Sequence, residues 1–178
     1  MSDRLLVSTK KGLFALERGP GGWHVGRTAF LGENVTLAVA DPHSGGWYAA
    51  LNLGHFGVKL KFSPDGGATW EDRAAPTYPD GATVGTGDGK PPAPATLKLI
   101  WALEPAGPGV LWAGTAPGGL FRSADGGRNW ELVRGLWDRP ERANWFGGGY
   151  DQPAIHSICL DPRDPRTVRV AVSCGGVG

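Results

Sequence analysis

A chain of 178 residues with a formal net charge of +1 and scattered basic residues offers no bulk field for nucleic acid or an anionic membrane. Thirty glycines and fifteen prolines bring it close to low-complexity composition, yet eight tryptophans and recurrent Val, Leu and Ala runs supply the apolar surface that disordered chains lack. No apolar run approaches the roughly 20 residues of a membrane-spanning helix, and Met1-Ser2-Asp3-Arg4 leads straight into an apolar segment without a signal-peptide pattern, so a cytoplasmic protein is expected.

The pattern predicts short strands throughout and no sustained helix. Taken in chain order, a first unit has strands at 4–9, 12–17 and 22–26. A second has four, at 35–40, 47–51, 58–62 and 70–73. A third has four, at 96–103, 110–114, 119–122 and 130–133. A fourth has two, at 155–160 and 167–173. Three times a strand is followed by an acidic residue, a proline and then a polar turn: Asp41-Pro42, Glu104-Pro105 and Asp161-Pro162. Cys159 and Cys174 fall in strand-like segments and are expected as buried free thiols, with a disulfide between neighbouring strands as the alternative.

Two octapeptides lie 60 residues apart: Ser63-Pro64-Asp65-Gly66-Gly67-Ala68-Thr69-Trp70 and Ser123-Ala124-Asp125-Gly126-Gly127-Arg128-Asn129-Trp130. Each sits between a third and a fourth strand. An Asp can accept backbone N–H bonds inside a tight turn, the glycines permit positive φ, and the Trp can pack on the sheet. Four-stranded antiparallel units at such a period are the pattern of propeller blades, which need a neighbour on each side. The expected fold is therefore all-β, a partial β-propeller of four-stranded antiparallel blades, as a single domain over 1–178. Its blades span about 4–27, 35–74, 96–134 and, incomplete, 155–178. The missing strands of the first and last units suggest a chain cut short or completed elsewhere, or a half-ring that self-associates through open blade edges.

The octapeptides resemble the Asp box of bacterial neuraminidase repeats, with Asn129 where Thr is usual. More widely, the runs Leu5-Leu6-Val7-Ser8-Thr9, Leu120-Phe121-Arg122-Ser123 and Ile155-His156-Ser157-Ile158 resemble bacterial WD40/YVTN/BNR-like repeat proteins, some labelled exo-α-sialidase or glycosyl hydrolase. The resemblance implies a structural role for Ser63, Asp65, Gly67, Trp70, Ser123, Asp125, Gly127 and Trp130, on the rim away from any active face. Such proteins are about twice this length. Sortilin-type ectodomains and the photosystem II assembly propeller also use Asp boxes and are not enzymes. Sialidases combine an Arg triad with a Tyr–Glu pair after an Arg-Ile-Pro segment. Here the chain begins Arg4-Leu5-Leu6, Arg73, Arg122 and Arg128 fall on the rim side, and Arg27, Arg139 and Arg142 near the other face carry no motif.

Antiparallel order places the long connections 74–95 and 134–154 on the face opposite the octapeptides. Loops of that length are uncommon unless they carry function or are disordered. Tyr78 lies in the first. The second joins Trp145, Phe146 and Tyr150 to glycines, and aromatic faces beside polar groups suit sugars or other flat ligands. Ligand-binding candidates on that face are Lys10, Asn34, His55, Lys98, Trp145 and Tyr150. Catalytic candidates are Glu33, Asp151 and His156, since glycoside hydrolysis needs two suitably spaced carboxylates or a Tyr–Glu pair. No cofactor is expected. No metal site is expected either, because His55, His156 and the nearby carboxylates lack ligand spacing. The expected role is a scaffold for a carbohydrate, a small molecule or a protein partner, with a sialidase-like hydrolase as the alternative, and without nucleic-acid or membrane binding.

Overall fold

A computed structural model describes residues 3–85, 91–147, 151–164 and 166–177. They are strand-rich, and every strand pairing is antiparallel. The chain divides into two compact units, Met1–Arg73 and Ala74–Gly178.

In the first unit β1 (Arg4–Thr9), β2 (Gly12–Gly19) and β3 (Gly22–Ala29) form a meander. A second meander contains β4 (Val35–Ala40), β5 (Trp47–Asn52), β6 (Val58–Ser63) and β7 (Glu71–Arg73). Alternation in each strand sends one residue set inward. Leu13 meets Val35, Ala49 and Leu51, with Leu6, Phe30 and Trp70 packed around them. The opposite parity of the first sheet leaves Leu5, Val7, Trp23 and Val25 exposed. β3 runs to Ala29 rather than Gly26, because an extra residue between Arg27 and Val25 lets the ladder with β2 continue to Leu13↔Ala29.

In the second unit β8 (Thr83–Val84) and β9 (Ala93–Pro94) make a two-residue ladder inside the first long connection. β10 (Leu99–Gly107), β11 (Val110–Ala116), β12 (Leu120–Ser123) and β13 (Glu131–Leu132) form a four-stranded meander. The second long connection holds α1 (Arg134–Trp137) and a 3-10 turn over Pro140–Asn144. β14 (Ile155–Leu160), β15 (Val168–Val172) and β16 (Gly176–Val177) complete the unit. Leu120, Trp145, Ile155, Val170 and Val172 form a core between its sheets. Gly114 permits this approach: a Cβ there would sit 2.6 Å from both the Ile155 carbonyl oxygen and its Cγ2.

Four expectations need correction. Glu104 and Pro105 are not in a turn; they pair with Trp112 and Leu111 inside the ladder, and the turn comes at Gly107–Val110, where Gly109 takes φ 73°. Pro105 is tolerated because β10 is an edge strand. Only Asp41 and Asp161 start the expected turn. Asp41 accepts bonds from the His43 N–H (2.9 Å) and the Ser44 hydroxyl (2.6 Å), and Asp161 from the Arg163 N–H (3.0 Å). The last sheet has a third strand, β16, paired with β15. Cys159 and Cys174 are free but exposed, and Cys174 lies at φ 47° in the turn after β15 rather than in a strand. No helix among the described residues is long and apolar enough to cross a membrane.

The two octapeptides close the β6–β7 and β12–β13 turns with matching hydrogen bonds. The buried hydroxyl of Ser63 donates to Asp65 Oδ1 (2.8 Å) and accepts from the Gly67 N–H (2.7 Å). Ser123 does the same with Asp125 (2.8 Å) and Gly127 (2.9 Å). Thr69 donates to Asp65 from its N–H and its hydroxyl, both at 2.8 Å. Asn129 reproduces this with its N–H (2.9 Å) and its side-chain amide (2.6 Å). That equivalence accounts for Asn in place of Thr. The tryptophans diverge: Trp70 tilts against Phe30 at 4.8 Å, whereas Trp130 Nε1 donates to the Ala74 carbonyl at 2.7 Å.

These donors hold the Asp65 carboxyl at about 2, chiefly through the Thr69 N–H, and Asp125 at about 2, chiefly through the Asn129 side chain. An unfolded Asp titrates near 3.9. A lowered folded-state value means that the stabilisation is complete above about pH 4 and lost as the pH falls toward 2. Denaturant unfolding from pH 5 to 2 should show stability falling across that window. An Asp65→Asn/Asp125→Asn variant should start lower and fall less. Equal slopes for both proteins would contradict the assignment.

Candidate ligand-binding site

Antiparallel meanders place alternate turns at opposite ends. In the first unit the Ser63–Trp70 octapeptide is at one end, and the β1–β2, β3–β4 and β5–β6 connections are at the other. Backbone bonds hold that second end together. The Gly32 N–H donates to the Lys11 carbonyl (3.0 Å), and the Asn52 N–H to the Asn34 carbonyl (2.9 Å). Lys10, Glu33, Asn34 and His55 therefore share this end. Lys10, Glu33 and His55 are exposed and Asn34 is half-buried. His55 sits in the 3-10 turn Gly54–Phe56, whose Phe56 is 77% exposed.

In the second unit Lys98 and Asp151 are exposed in the long connections, and His156 is exposed near the start of β14. The Lys98 N–H extends the ladder to the Ala116 carbonyl (2.9 Å). Tyr150 lies outside the described residues. Trp145 is only 7% exposed and belongs to the core with Leu120 and Ile155, so its ring is a packing element. Tyr78 is also buried. Its ring meets Phe121 and Trp137, each at 5.1 Å, and its hydroxyl bonds to Thr115 Oγ1 (2.6 Å) and the Pro117 carbonyl. Burial pushes its ionisation well above the ordinary tyrosine value. Arg142 stacks over Trp137 at 3.3 Å, and burial lowers its pKa. Among the described residues no three His, Cys, Asp or Glu side chains converge as metal ligands.

The sequence missed one recurrent feature. The first strand of three sheets carries a β-bulge at the same place. The ladder skips Thr36 between Val35 and Leu37, Trp101 between Ile100 and Ala102, and His156 between Ile155 and Ser157. Each extra residue follows a buried branched residue: Val35, Ile100 or Ile155. Bulges re-aim side chains and are frequent beside active sites. Thr36 turns its hydroxyl to the Ala50 carbonyl (3.1 Å). Trp101 (40% exposed) and His156 meet edge to face, with centroids 6.3 Å apart at 62°. Aligning the strands on the buried branched residue, rather than on the acidic–proline pair, would have brought Trp101 and His156 together.

Comparison with solved structures decides the fold. YCF48 bound to a D1 peptide superposes with a TM-score of 0.60 at 17% identity, over 96% of this chain and 44% of that one. The GH74 xyloglucanase of Xanthomonas campestris gives 0.61 at 20% identity, over 99% and 25%. YCF48 from Cyanidioschyzon merolae gives 0.53 at 13% identity, over 99% and 51%. The chain is part of a β-propeller. Its sheets are propeller blades, and it spans about half or less of the length of these structures. No protein-family profile matches the chain, and no curated protein does.

Proposed function

We propose that this chain is part of an Asp-box, BNR-like repeat propeller that binds a ligand or protein partner at the blade ends opposite the Asp boxes. One observation carries the reading. In each unit the octapeptide turn occupies one end and exposed polar and aromatic side chains gather at the other: Lys10, Glu33, His55 and Phe56 in the first unit, and Lys98, Asp151 and His156 in the second, where that end also carries the long connections. Tight turns that satisfy themselves leave little for a partner; loops held on a rigid sheet are where binding residues concentrate. The YCF48 propeller is bound to a peptide, which supports a binding role for this fold. The described loop tyrosine, Tyr78, is buried and hydrogen-bonded rather than presented as a nucleophile, which weighs against a sialidase-like hydrolase. Two exposed free thiols fit a reducing compartment such as the cytoplasm.

The test compares two surface variants of the full chain, Lys98→Ala/Asp151→Ala/His156→Ala at the loop end of the second unit and Arg128→Ala at the box end of the same unit, against panels of peptides and oligosaccharides. Any ligand found by calorimetry should bind the loop-end variant about tenfold or more weakly and the box-end variant as well as the parent. The reverse pattern would reject the reading.

A further inference from the structure

We propose that Trp101 and His156 form a stacking site for the ring of a neutral sugar. This names a ligand class for the binding face proposed above and rests on that reading. Both residues are the extra residue of a bulge, on β10 and β14, the first strands of adjacent blades within one unit. A bulge leaves its residue unpaired and turns its side chain away from ordinary strand alternation. Trp101 is 40% exposed although it is a large apolar side chain, and the exposed imidazole of His156 stands 6.3 Å from its ring. His156 Nδ1 lies 3.2 Å from the exposed Ser157 hydroxyl. The Nε2 edge of that imidazole has no partner among the described residues. An indole face, an imidazole nitrogen and a hydroxyl stand side by side.

That combination matches a pyranose, which offers a face of C–H groups to an aromatic ring and a rim of hydroxyls to hydrogen-bonding groups. An extended peptide added to either strand fits less well. Strand addition needs an unbroken row of edge N–H and C=O groups, and each bulge interrupts that row where the aromatic pair stands. Stacking on the ring selects a sugar without demanding charge. The equivalent Thr36 is too short to stack, and its hydroxyl is already bonded.

The experiment follows the Trp101 indole N–H resonance of the full chain during titration with cellohexaose, maltohexaose and xylohexaose, and separately with extended peptides. At least one of the sugars should shift it saturably. Trp101→Ala should weaken that sugar about tenfold or more, His156→Ala about threefold, and Trp101→Phe should retain part of the affinity. Trp23→Ala, which removes an exposed tryptophan of the other unit, should change nothing. Thermal unfolding of each variant separates lost binding from lost fold, and Trp101→Phe remains informative where Trp101→Ala does not fold. The assignment is overturned when no sugar moves the resonance up to about 10 mM, a millimolar limit that spans weak single-site binding. It is overturned equally when Trp101→Ala and Trp23→Ala behave alike, or when peptides alone move the resonance. A ligand lost in the loop-end variant but kept by Trp101→Ala would overturn this site and leave the binding face standing.

Discussion

Trp145→Ala should lower the unfolding free energy by about 3–5 kcal/mol, the range for removing a large aromatic from a core. The ring is 7% exposed and packs against Leu120, Ile155, Val170 and Val172, so it joins two sheets of the second unit. Two glycine segments lie directly on it. A Cβ at Gly118 would come 3.4 Å from the ring, and one at Gly175 would come 3.0 Å from it. Removing the indole opens a void whose walls belong to separate sheets and loops, which limits collapse. In a chain of this size the loss corresponds to a fall in Tm of about 10 °C. Urea unfolding at pH 7 provides the measurement. A variant that unfolds within about 1 kcal/mol of the parent, where surface substitutions fall, would show that the ring is not a packing element.

Phe121→Ala should cost a similar amount, about 3–5 kcal/mol. Its side chain is fully buried and meets the Tyr78 ring edge to face at 5.1 Å and 80°. Tyr78 in turn reaches Trp137 and the Thr115 hydroxyl, so one phenyl ring supports the first long connection against β12. There is little room to close the gap. A Cβ on Gly119 would already stand 2.8 Å from Phe121 Cε2 and 2.6 Å from the Tyr78 hydroxyl. Phe121→Leu keeps much of the volume and should recover about half of the loss. Equal stability of the Ala and Leu variants by denaturant titration would contradict this account.

What could be read from the sequence was local. The octapeptides announce themselves because Ser63, Asp65 and Thr69 bond within seven residues of chain, and Ser123, Asp125 and Asn129 repeat the arrangement. Continuous apolar runs likewise mark β5 and β11, and apolar–polar alternation marks β6, signals that need no knowledge of distant partners. The misses are all non-local. Whether Glu104-Pro105 turns or pairs depends on the Trp112 and Leu111 strand opposite. Whether Trp145 faces a ligand or Ile155 depends on where a long connection folds back, and aromatic–glycine composition is the same in either case. Cys159 alternates like a buried strand residue, yet it stands opposite Arg169 on an exposed face. The pairing of Trp101 with His156 spans 55 positions and rests on ladder shifts that composition does not record.

The repeated one-residue irregularity at the head of β4, β10 and β14 separates length from identity. Deleting Trp101 or His156 would remove the unpaired residue and close the ladder on the same partners, Thr115 for Ile100 and Val172 for Ile155, so only the re-aimed side chain would be lost. Exchanging the same residue leaves the count, and therefore the bulge, untouched. Within this one chain the slot already holds a hydroxyl, an indole and an imidazole. The scaffold thus keeps a socket of constant position and interchangeable content, so selectivity can be rewritten at that point without renegotiating the sheet beneath it.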